Sequence, residues 1–327
     1  MSFRKTFILF TVSLFIIIGV AGFLKKDVKT IKNNLNDEVE TNKNNVCLVV
    51  NKDENVNQDI KICDIQKESE KIDKIRRFFS KGNDKFPIVE TITYTSRVFW
   101  LKGRPAWIAD YATYYETSRH FIARGLNNKI DYLTQNVAPG DKFNVFVKDK
   151  NIKFYLIVDL EKCDMDFYYL DLDVDERVFV KNYKIGVGRL DNYSPSGSLT
   201  PIGKYTIGNK VAIYDKDIEH YFQNKKTKMV EVFGTRWLPF DKEIENCSDS
   251  AKGYGLHGMP MRYDDDKCEL VEIDDCVGGY NSDGCLRLKK DDIEELFSII
   301  ITKPTIIEIV KNKKDLTLPM SRESNSL

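Results

Sequence analysis

The most informative stretch of the sequence is Asn281-Ser282-Asp283-Gly284-Cys285-Leu286-Arg287-Leu288. It places one cysteine in a glycine-containing turn, and a second glycine-flanked segment, Tyr254-Gly255-Leu256-His257-Gly258, lies upstream of it. A thiolate is the reactive form of cysteine, and a nearby imidazole can hold its proton. Cys285 and His257 are therefore a candidate nucleophile and base. An isolated pair of this kind is more often structural, because buried cysteines usually act as small hydrophobic residues.

The residues around this pair resemble the active-site pattern of the L,D-transpeptidase (YkuD-like) catalytic domain. That pattern is a His-Gly pair followed by Ser-x-Gly-Cys-(Ile/Leu/Val)-Arg, and this chain has His257-Gly258 and then Ser282 to Arg287. The resemblance implies a mostly β, β-sandwich-like catalytic domain over residues 152–310, and the short aromatic runs with Gly and Pro between them also favour strands. Five further blocks occur in family order, at 154–160, 166–170, 183–188, 199–207 and 234–238.

The resemblance implies a chemical role for the residues of the two motifs. Cys285 is the nucleophile, and His257 takes its proton and later activates the incoming amine. The backbone N–H groups of Gly284 and Cys285 donate to the oxyanion. The carbonyl of Gly258 orients His257. Ser282 is expected to help in forming the oxyanion site or in orienting the catalytic residues.

Arg287 has two readings, and the chain departs from the family pattern in two places. Arg287 either binds a substrate carboxylate or braces the turn through a salt bridge with a nearby acid. A second histidine often precedes the Gly-Cys pair, but this chain has Asp283, whose carboxylate we expect to point away from the oxyanion site. The spacing of 28 positions from His257 to Cys285 is long, and the acidic insert 263–276 accounts for it.

The resemblance implies an enzyme that acts on peptidoglycan and needs no cofactor. The enzyme would be acylated by a stem tetrapeptide, release D-alanine and transfer the acyl group to an acceptor amine. Two alternatives stay open: an L,D-carboxypeptidase or endopeptidase that uses water, and an inactive anchored scaffold that binds peptidoglycan. A papain-like protease fits poorly, because its cysteine precedes its histidine. We expect no metal site, although the acids 264–266 leave a calcium loop as a weaker reading.

The N-terminal sequence predicts export. Basic residues precede a mostly apolar run of 18 residues, 7–24, and Lys25-Lys26 follows it, which is typical of a signal or an inner-membrane anchor in residues 1–26. Whether this segment is cleaved stays open. Residues 27–85 are rich in Lys, Asn, Asp and Glu, which predicts a flexible spacer with a short helix around 69–79. The expected location is the cell envelope or periplasm.

Residues 93–147 predict a small α+β module in the order β-α-α-β. A strand is predicted at 95–100, a helix opens near Pro105, a second helix ends at Gly125, and a strand follows Pro139-Gly140. This order resembles a LysM glycan-binding module, and an unrelated α+β module is the alternative. The polar residues 311–327 predict a loose tail.

Charge and cysteine content bear on partners and compartment. The chain has 50 basic and 50 acidic residues, so it lacks the basic excess that nucleic-acid binding requires. Seven cysteines in an exported chain favour disulfides. The six besides Cys285 allow many pairings; proximity in sequence favours Cys268 with Cys276 and Cys47 with Cys63, which leaves Cys163 for Cys247, unless some stay reduced.

Overall fold

A computed structural model of the chain describes residues 72–127, 137–222, 225–273, 277–316, 318–319 and 322–323. The chain divides into two units, residues 1–65 and 66–327, and every described residue belongs to the second. The described helices are α1 (Ile108–Tyr114), α2 (Arg119–Asn127), α3 (Met229–Phe233) and α4 (Lys290–Ile300), with short 3-10 turns at Ile75–Phe78 and Lys313–Asp315. The described strands are β1 (Val89–Thr93), β2 (Lys142–Phe146), β3 (Ile152–Asp159), β4 (Asp164–Asp171), β5 (Glu176–Lys184), β6 (Val187–Gly188), β7 (Gly203–Ile207), β8 (Val211–Ala212), β9 (Glu219–Phe222), β10 (Lys225–Lys228), β11 (Arg236–Glu245), β12 (Gly255–Gly258), β13 (Met261–Asp264), β14 (Glu269–Glu272), β15 (Tyr280–Ser282), β16 (Leu286–Leu288), β17 (Thr305–Val310) and β18 (Arg322–Glu323).

One mixed sheet carries most of these strands. Its order is β16-β12-β11-β7-β17-β3-β4-β5-β18, and β8 pairs with β11 beside this path. The pairs β12–β16, β17–β3 and β18–β5 are parallel, and the other neighbours are antiparallel. The predicted mostly β fold is confirmed.

The sheet is covered on both faces, as strand β3 shows. Its side chains alternate, as in any strand, between the two faces. Phe154 and Leu156 belong to the main hydrophobic cluster, to which α4 contributes Phe297. Tyr155 and Ile157 belong to a second cluster on the opposite face. Burial of both faces explains why β3 has an almost continuous apolar sequence.

The residues before β3 share the main hydrophobic cluster with the sheet. Phe78, Phe86, Phe121 and Phe146 are fully buried in that cluster, and the rings of Phe121 and Phe146 lie 4.8 Å apart. Residues 72–85, which composition assigns to the spacer, therefore include core residues, and Ile75–Phe78 forms a single 3-10 turn within the helix predicted at 69–79. The rest of the predicted spacer lies outside the described residues.

Strands β1 and β2 enclose α1 and α2 in the predicted β-α-α-β order, and the two strands pair antiparallel. The first strand is Val89–Thr93, so the strand predicted at 95–100 is wrong. That segment is irregular because Trp100 stacks on Tyr114 of α1, with ring centroids 4.5 Å apart, and does not extend a ladder. The likeness to a LysM module stays a prediction.

The predicted tail is attached to the sheet where it is described. Leu316 and Leu318 pack against the second cluster, β18 pairs with β5, and the Pro319 carbonyl accepts a hydrogen bond from Arg177 at 2.6 Å. The described part of 311–327 is therefore ordered against the sheet and is not loose. Among the described residues, no helix is long and apolar enough to cross a membrane. The predicted signal or anchor, 1–26, lies outside them.

Candidate active site

The parallel pair β12–β16 brings the two sequence motifs together. In its register Leu256 is opposite Leu286 and His257 is opposite Arg287. The two leucines are fully buried in the main hydrophobic cluster. Because side chains alternate along a strand, His257 lies on the other face of this pair, together with Arg287. Cys285 directly precedes β16 and lies beside Gly255, so the strand pairing brings the segment of the candidate nucleophile next to that of the candidate base.

His257 is buried and held in one orientation. It is 3% exposed, and its Nδ1 lies 2.7 Å from the carbonyl oxygen of Gly258. Because a carbonyl can only accept, this contact requires a proton on Nδ1 and leaves Nε2 as an acceptor. The rings of Phe233 and Trp237 pack around the imidazole. Burial lowers the pKa of His257 to about 4, and the charge of Arg287 adds to this effect.

Cys285 carries a thiol that is neutral at rest. Burial raises its pKa to about 11; Asp283 contributes to this increase, whereas the Gly255 amide and Arg287 oppose it. The Sγ atom lies 3.7 Å from the carbonyl oxygen of Gly253. At neutral pH the pair is therefore a thiol and a neutral imidazole, and the thiol must lose its proton during the reaction.

The turn before Cys285 requires glycine at position 284. Gly284 has φ +117°, and a Cβ there would lie 2.5 Å from the ring of Tyr254 and 2.8 Å from the Leu199 carbonyl oxygen. The Thr200 hydroxyl donates to the Gly284 carbonyl at 3.0 Å and accepts from the Gly188 amide at 2.7 Å. These contacts fix the turn against the segment 199–200. The sequence analysis gives this segment no role at the site. Its only signal in the sequence is that it belongs to the family block 199–207.

The Ser282 hydroxyl is hydrogen-bonded to one of the two N–H groups that are expected to donate to the oxyanion. Its hydroxyl donates to the Cys285 carbonyl at 2.6 Å and accepts from the Gly284 amide at 3.1 Å. Ser282 therefore braces the turn, and the Gly284 N–H is not available for an oxyanion as the structure stands. The Cys285 N–H has no hydrogen-bond partner within the described part of the chain. It is the remaining backbone donor at the thiol.

The structure describes both departures from the family pattern, Asp283 and most of the acidic insert. The Asp283 carboxylate pairs with Arg189 at 2.6 Å, and both side chains are exposed. Most of the insert forms the hairpin β13–β14, with acids 264–266 at its turn. The described ranges contain no group of three or more His, Cys, Asp or Glu side chains that could hold a metal ion.

The described cysteines are free thiols, so the pairing of Cys163 with Cys247 is wrong. Cys163 is buried in the turn between β3 and β4, where its thiol donates to the Leu160 carbonyl. Cys247 follows β11, and its thiol donates to the Lys204 carbonyl at 3.1 Å. Cys268 is also free and is exposed on the β13–β14 turn, so its predicted pairing with Cys276 is wrong as well. The other cysteines assigned to disulfides, Cys47, Cys63 and Cys276, lie outside the described residues.

Several solved structures are similar to part of this chain. Bd1075 from Bdellovibrio bacteriovorus is 15% identical with a TM-score of 0.32, and the helical cell shape determining protein Pgp2 from Campylobacter jejuni is 14% identical with a TM-score of 0.34. Each match covers 53% of this chain and about half of the other protein, 50% and 51%. L,D-transpeptidase 3 from Mycobacterium tuberculosis is 11% identical with a TM-score of 0.29, over 53% of this chain and 76% of that one.

No curated protein sequence matches the chain significantly. A family model does match it, and the matched segment begins in β3 and ends in β17, so it contains both motifs of the candidate site. Residues 153–309 match the YkuD family, the L,D-transpeptidase catalytic domain.

Proposed function

We propose that the chain is a peptidoglycan L,D-transpeptidase with Cys285 as its nucleophile and His257 as its base. The donor is a stem tetrapeptide whose third residue is diaminopimelate. The Cys285 sulfur attacks the carbonyl carbon at the L-centre of that residue, and Nε2 of His257 takes the thiol proton. The C–N bond to the terminal D-alanine breaks, and the imidazolium returns the proton to the departing amine.

The second half of the reaction reverses these roles. An acceptor amine attacks the thioester, His257 removes a proton from it, and the new amide forms as the Cys285 thiol is restored. The Cys285 N–H is the candidate donor to the tetrahedral oxyanion in both halves. A change of the Ser282 side-chain rotamer, which moves its hydroxyl oxygen, would release the Gly284 N–H as a second donor.

The observation that best supports this proposal is the orientation of His257. Its Nδ1 is committed to the Gly258 carbonyl, and its strand β12 pairs with β16, which begins directly after Cys285. The remaining ring nitrogen, Nε2, is an acceptor at neutral pH, as a general base must be. A histidine protonated at rest could not take the thiol proton.

The test is D-alanine release from a purified tetrapeptide by the full-length chain. We expect release by the wild type, loss of release in Cys285→Ala, and a fall of about 100-fold or more in His257→Ala. Cys268→Ala is the matched control and should leave release unchanged, because Cys268 is exposed on the β13–β14 hairpin. Release that persists in Cys285→Ala would rule out the thiol mechanism.

The mass of the products separates transpeptidation from hydrolysis. A cross-linked dimer supports transfer to an amine, whereas a tripeptide without a dimer supports the carboxypeptidase alternative. The high pKa of the half-buried Cys285 thiol favours one further candidate, an inactive scaffold that binds peptidoglycan. Such a scaffold would sediment with wall sacculi without releasing D-alanine.

We also propose that the protein is exported and held at the inner membrane by residues 7–24, facing peptidoglycan stem peptides and glycan strands. The support is the sequence pattern of a basic start, an apolar run and a basic end. A reporter enzyme that folds only in an oxidising compartment, fused after residue 327, should be active. A reporter active only in the cytoplasm would contradict export.

A further inference from the structure

A cleft of about 210 Å³ opens beside the nucleophile turn. It lies between the segment 191–201 and the segment 248–254, and it is open to solvent on one side. The residues that matter here are Asp191, Ser194, Leu199, Ser248, Asp249 and Tyr254.

Two of the lining residues connect the cleft to Cys285. The ring of Tyr254 and the carbonyl of Leu199 are the groups that a Cβ at Gly284 would meet. The Tyr254 hydroxyl donates to the Asp249 carboxylate at 3.0 Å. Burial raises the pKa of Tyr254 to about 12. The Asp249 carboxylate and the negative charge that Cys285 carries when it is ionised contribute to this increase. The Asp249 carboxylate is therefore one tyrosine ring and one hydrogen bond away from the nucleophile turn.

Within the described residues, the two carboxylates of the cleft have no cationic partner. Neither Asp191 nor Asp249 forms an ion pair with any residue that the structure describes. Arg189, which is close to Asp191 in the chain, is paired with Asp283. A cleft lined by uncompensated carboxylates attracts positively charged groups, and an ammonium group forms charge-assisted hydrogen bonds with them.

The position of His257 indicates which part of a substrate reaches the cleft. Cys285 lies beside Gly255, His257 follows Gly255 along β12, and Tyr254 precedes it. The leaving amine must depart beside His257 to receive its proton. The part of the donor that stays attached to Cys285 therefore extends the other way, toward Tyr254 and the cleft.

We propose that this cleft binds the side-chain ammonium group of the donor's diaminopimelate residue, with Asp249 and Asp191 as its partners. This inference rests on the proposed function, because it takes the donor from there. Asp249 accepts from the ammonium group while it also accepts from Tyr254. The contact is made in the bound donor and in the thioester alike, so it contributes to binding and not to the chemical step.

The test is binding without chemistry, measured by calorimetry on the full-length Cys285→Ala chain. The probes are a tetrapeptide with a free diaminopimelate side-chain amine and the same peptide with that amine acetylated. We expect the free amine to bind at least about tenfold more tightly, as a charge-assisted hydrogen bond would give. Adding Asp249→Asn, which still accepts from Tyr254, should remove that preference. Asp191→Asn should reduce it and serves as the second variant if Asp249→Asn does not fold.

The control is Asp175→Asn, an exposed turn residue between β4 and β5 whose φ of +54° asparagine tolerates. It should keep the full preference for the free amine. Equal binding of the two peptides by the Cys285→Ala chain, or an unchanged preference in both cleft variants, overturns the inference. If the wild type releases D-alanine but the free amine is not bound more tightly, the role of the cleft is wrong and the proposed function stands. If the free amine is bound more tightly but no D-alanine is released, the proposed function is wrong and amine binding by the cleft stands.

Discussion

At the scale of single residues, the Cys285 thiol combines a reactive position with a high pKa. Burial is the main cause of that pKa, and the Gly255 amide and Arg287 reduce it. A thiol with a pKa near 11 is ionised in only about one molecule in ten thousand at pH 7. Because the imidazole of His257 is neutral, Cys285 and His257 do not form a thiolate–imidazolium ion pair in the resting protein. The thiol must therefore lose its proton after the substrate binds.

This state predicts slow alkylation of Cys285 by iodoacetamide at pH 7. The smaller thiolate fraction outweighs the higher nucleophilicity of a more basic thiolate, so the rate should be roughly tenfold below that of an ordinary thiol. The rate should climb as the pH rises toward 11. Mass spectrometry of the alkylated peptides gives the measurement, and the exposed Cys268 is the internal comparison. Faster labelling of Cys285 than of Cys268 at pH 7 would mean that a Cys285–His257 ion pair exists.

At the scale of elements, the nucleophile turn depends on a hydrogen-bonded bridge to the strand β6. Thr200 is fully buried and connects the Gly188 amide of β6 to the Gly284 carbonyl. Gly188 also leaves no room for a side chain, because a Cβ there would lie 2.5 Å from the Thr200 amide nitrogen. The turn that presents Cys285 is therefore fixed by a residue far from it in sequence.

Thr200→Val tests this bridge, because it keeps the shape of the side chain and removes both hydrogen bonds. Two buried backbone groups would lose their partner, and we expect the free energy of unfolding to fall by about 2 kcal/mol or more. D-alanine release should fall further than stability alone explains, since the Gly284 turn loses its anchor. Urea unfolding and release assays on the same preparation measure the two effects. Thr113→Val, at an exposed position of α1, is the control, and an equal result for both variants would contradict the bridging role.

At the scale of the whole molecule, the residues before β3 contribute to the main hydrophobic cluster of the sheet and also form a smaller cluster of their own. Ser118 donates to the Ser298 carbonyl at 2.7 Å, and Lys303 pairs with Glu116 at 2.9 Å. These contacts tie the connection between α1 and α2 to α4 and to the loop that follows it. Removal of 93–147 would expose the core, so that deletion is unsuitable for testing a glycan-binding role.

The sequence predicted those features whose determinants are local in the chain. The glycine-flanked motifs predicted a turn at Cys285 and a segment at His257 that pairs with the strand after it, because a turn and a strand are each encoded by a few neighbouring residues. It did not predict the hydrogen bond that occupies the Gly284 amide, which depends on the rotamer of Ser282. It also misplaced the strand at 95–100 and paired Cys163 with Cys247, because both depend on packing between distant segments.

The shared core predicts that Phe121→Ala destabilises the whole described unit. Phe121 is fully buried between Phe78 and Phe146, so its truncation should cost about 3–5 kcal/mol. Because the core is shared, loss of structure before β3 and in the sheet should occur in a single transition. Hydrogen exchange of the two segments during urea unfolding measures this. Phe99→Ala, at a position 85% exposed, should be nearly neutral, and separate transitions for the two segments would contradict a single core.

His120 makes the stability of this core depend on pH. It is buried on α2, its Nε2 lies 2.8 Å from the Tyr214 hydroxyl, and its ring packs against Phe297. Burial lowers its pKa to about 3, and the charges of Arg236, Arg119 and Arg124 add to this effect. In the unfolded chain the imidazole has its ordinary pKa of about 6.5. Between pH 6.5 and pH 3 the unfolded state therefore binds a proton at His120 that the folded state does not bind. The free energy of unfolding decreases as the pH falls below about 6.5.

Between pH 7 and pH 5 this single group should remove about 2 kcal/mol from the free energy of unfolding. His120→Gln cannot be protonated, so its stability should fall by that much less over the same interval, even if the variant is less stable at pH 7. Urea unfolding at both pH values measures the difference. His220→Gln, at an exposed position of β9, is the matched control and should leave the pH dependence of the wild type unchanged. An equal loss of stability in the wild type and in His120→Gln would show that His120 accepts its proton within the folded protein.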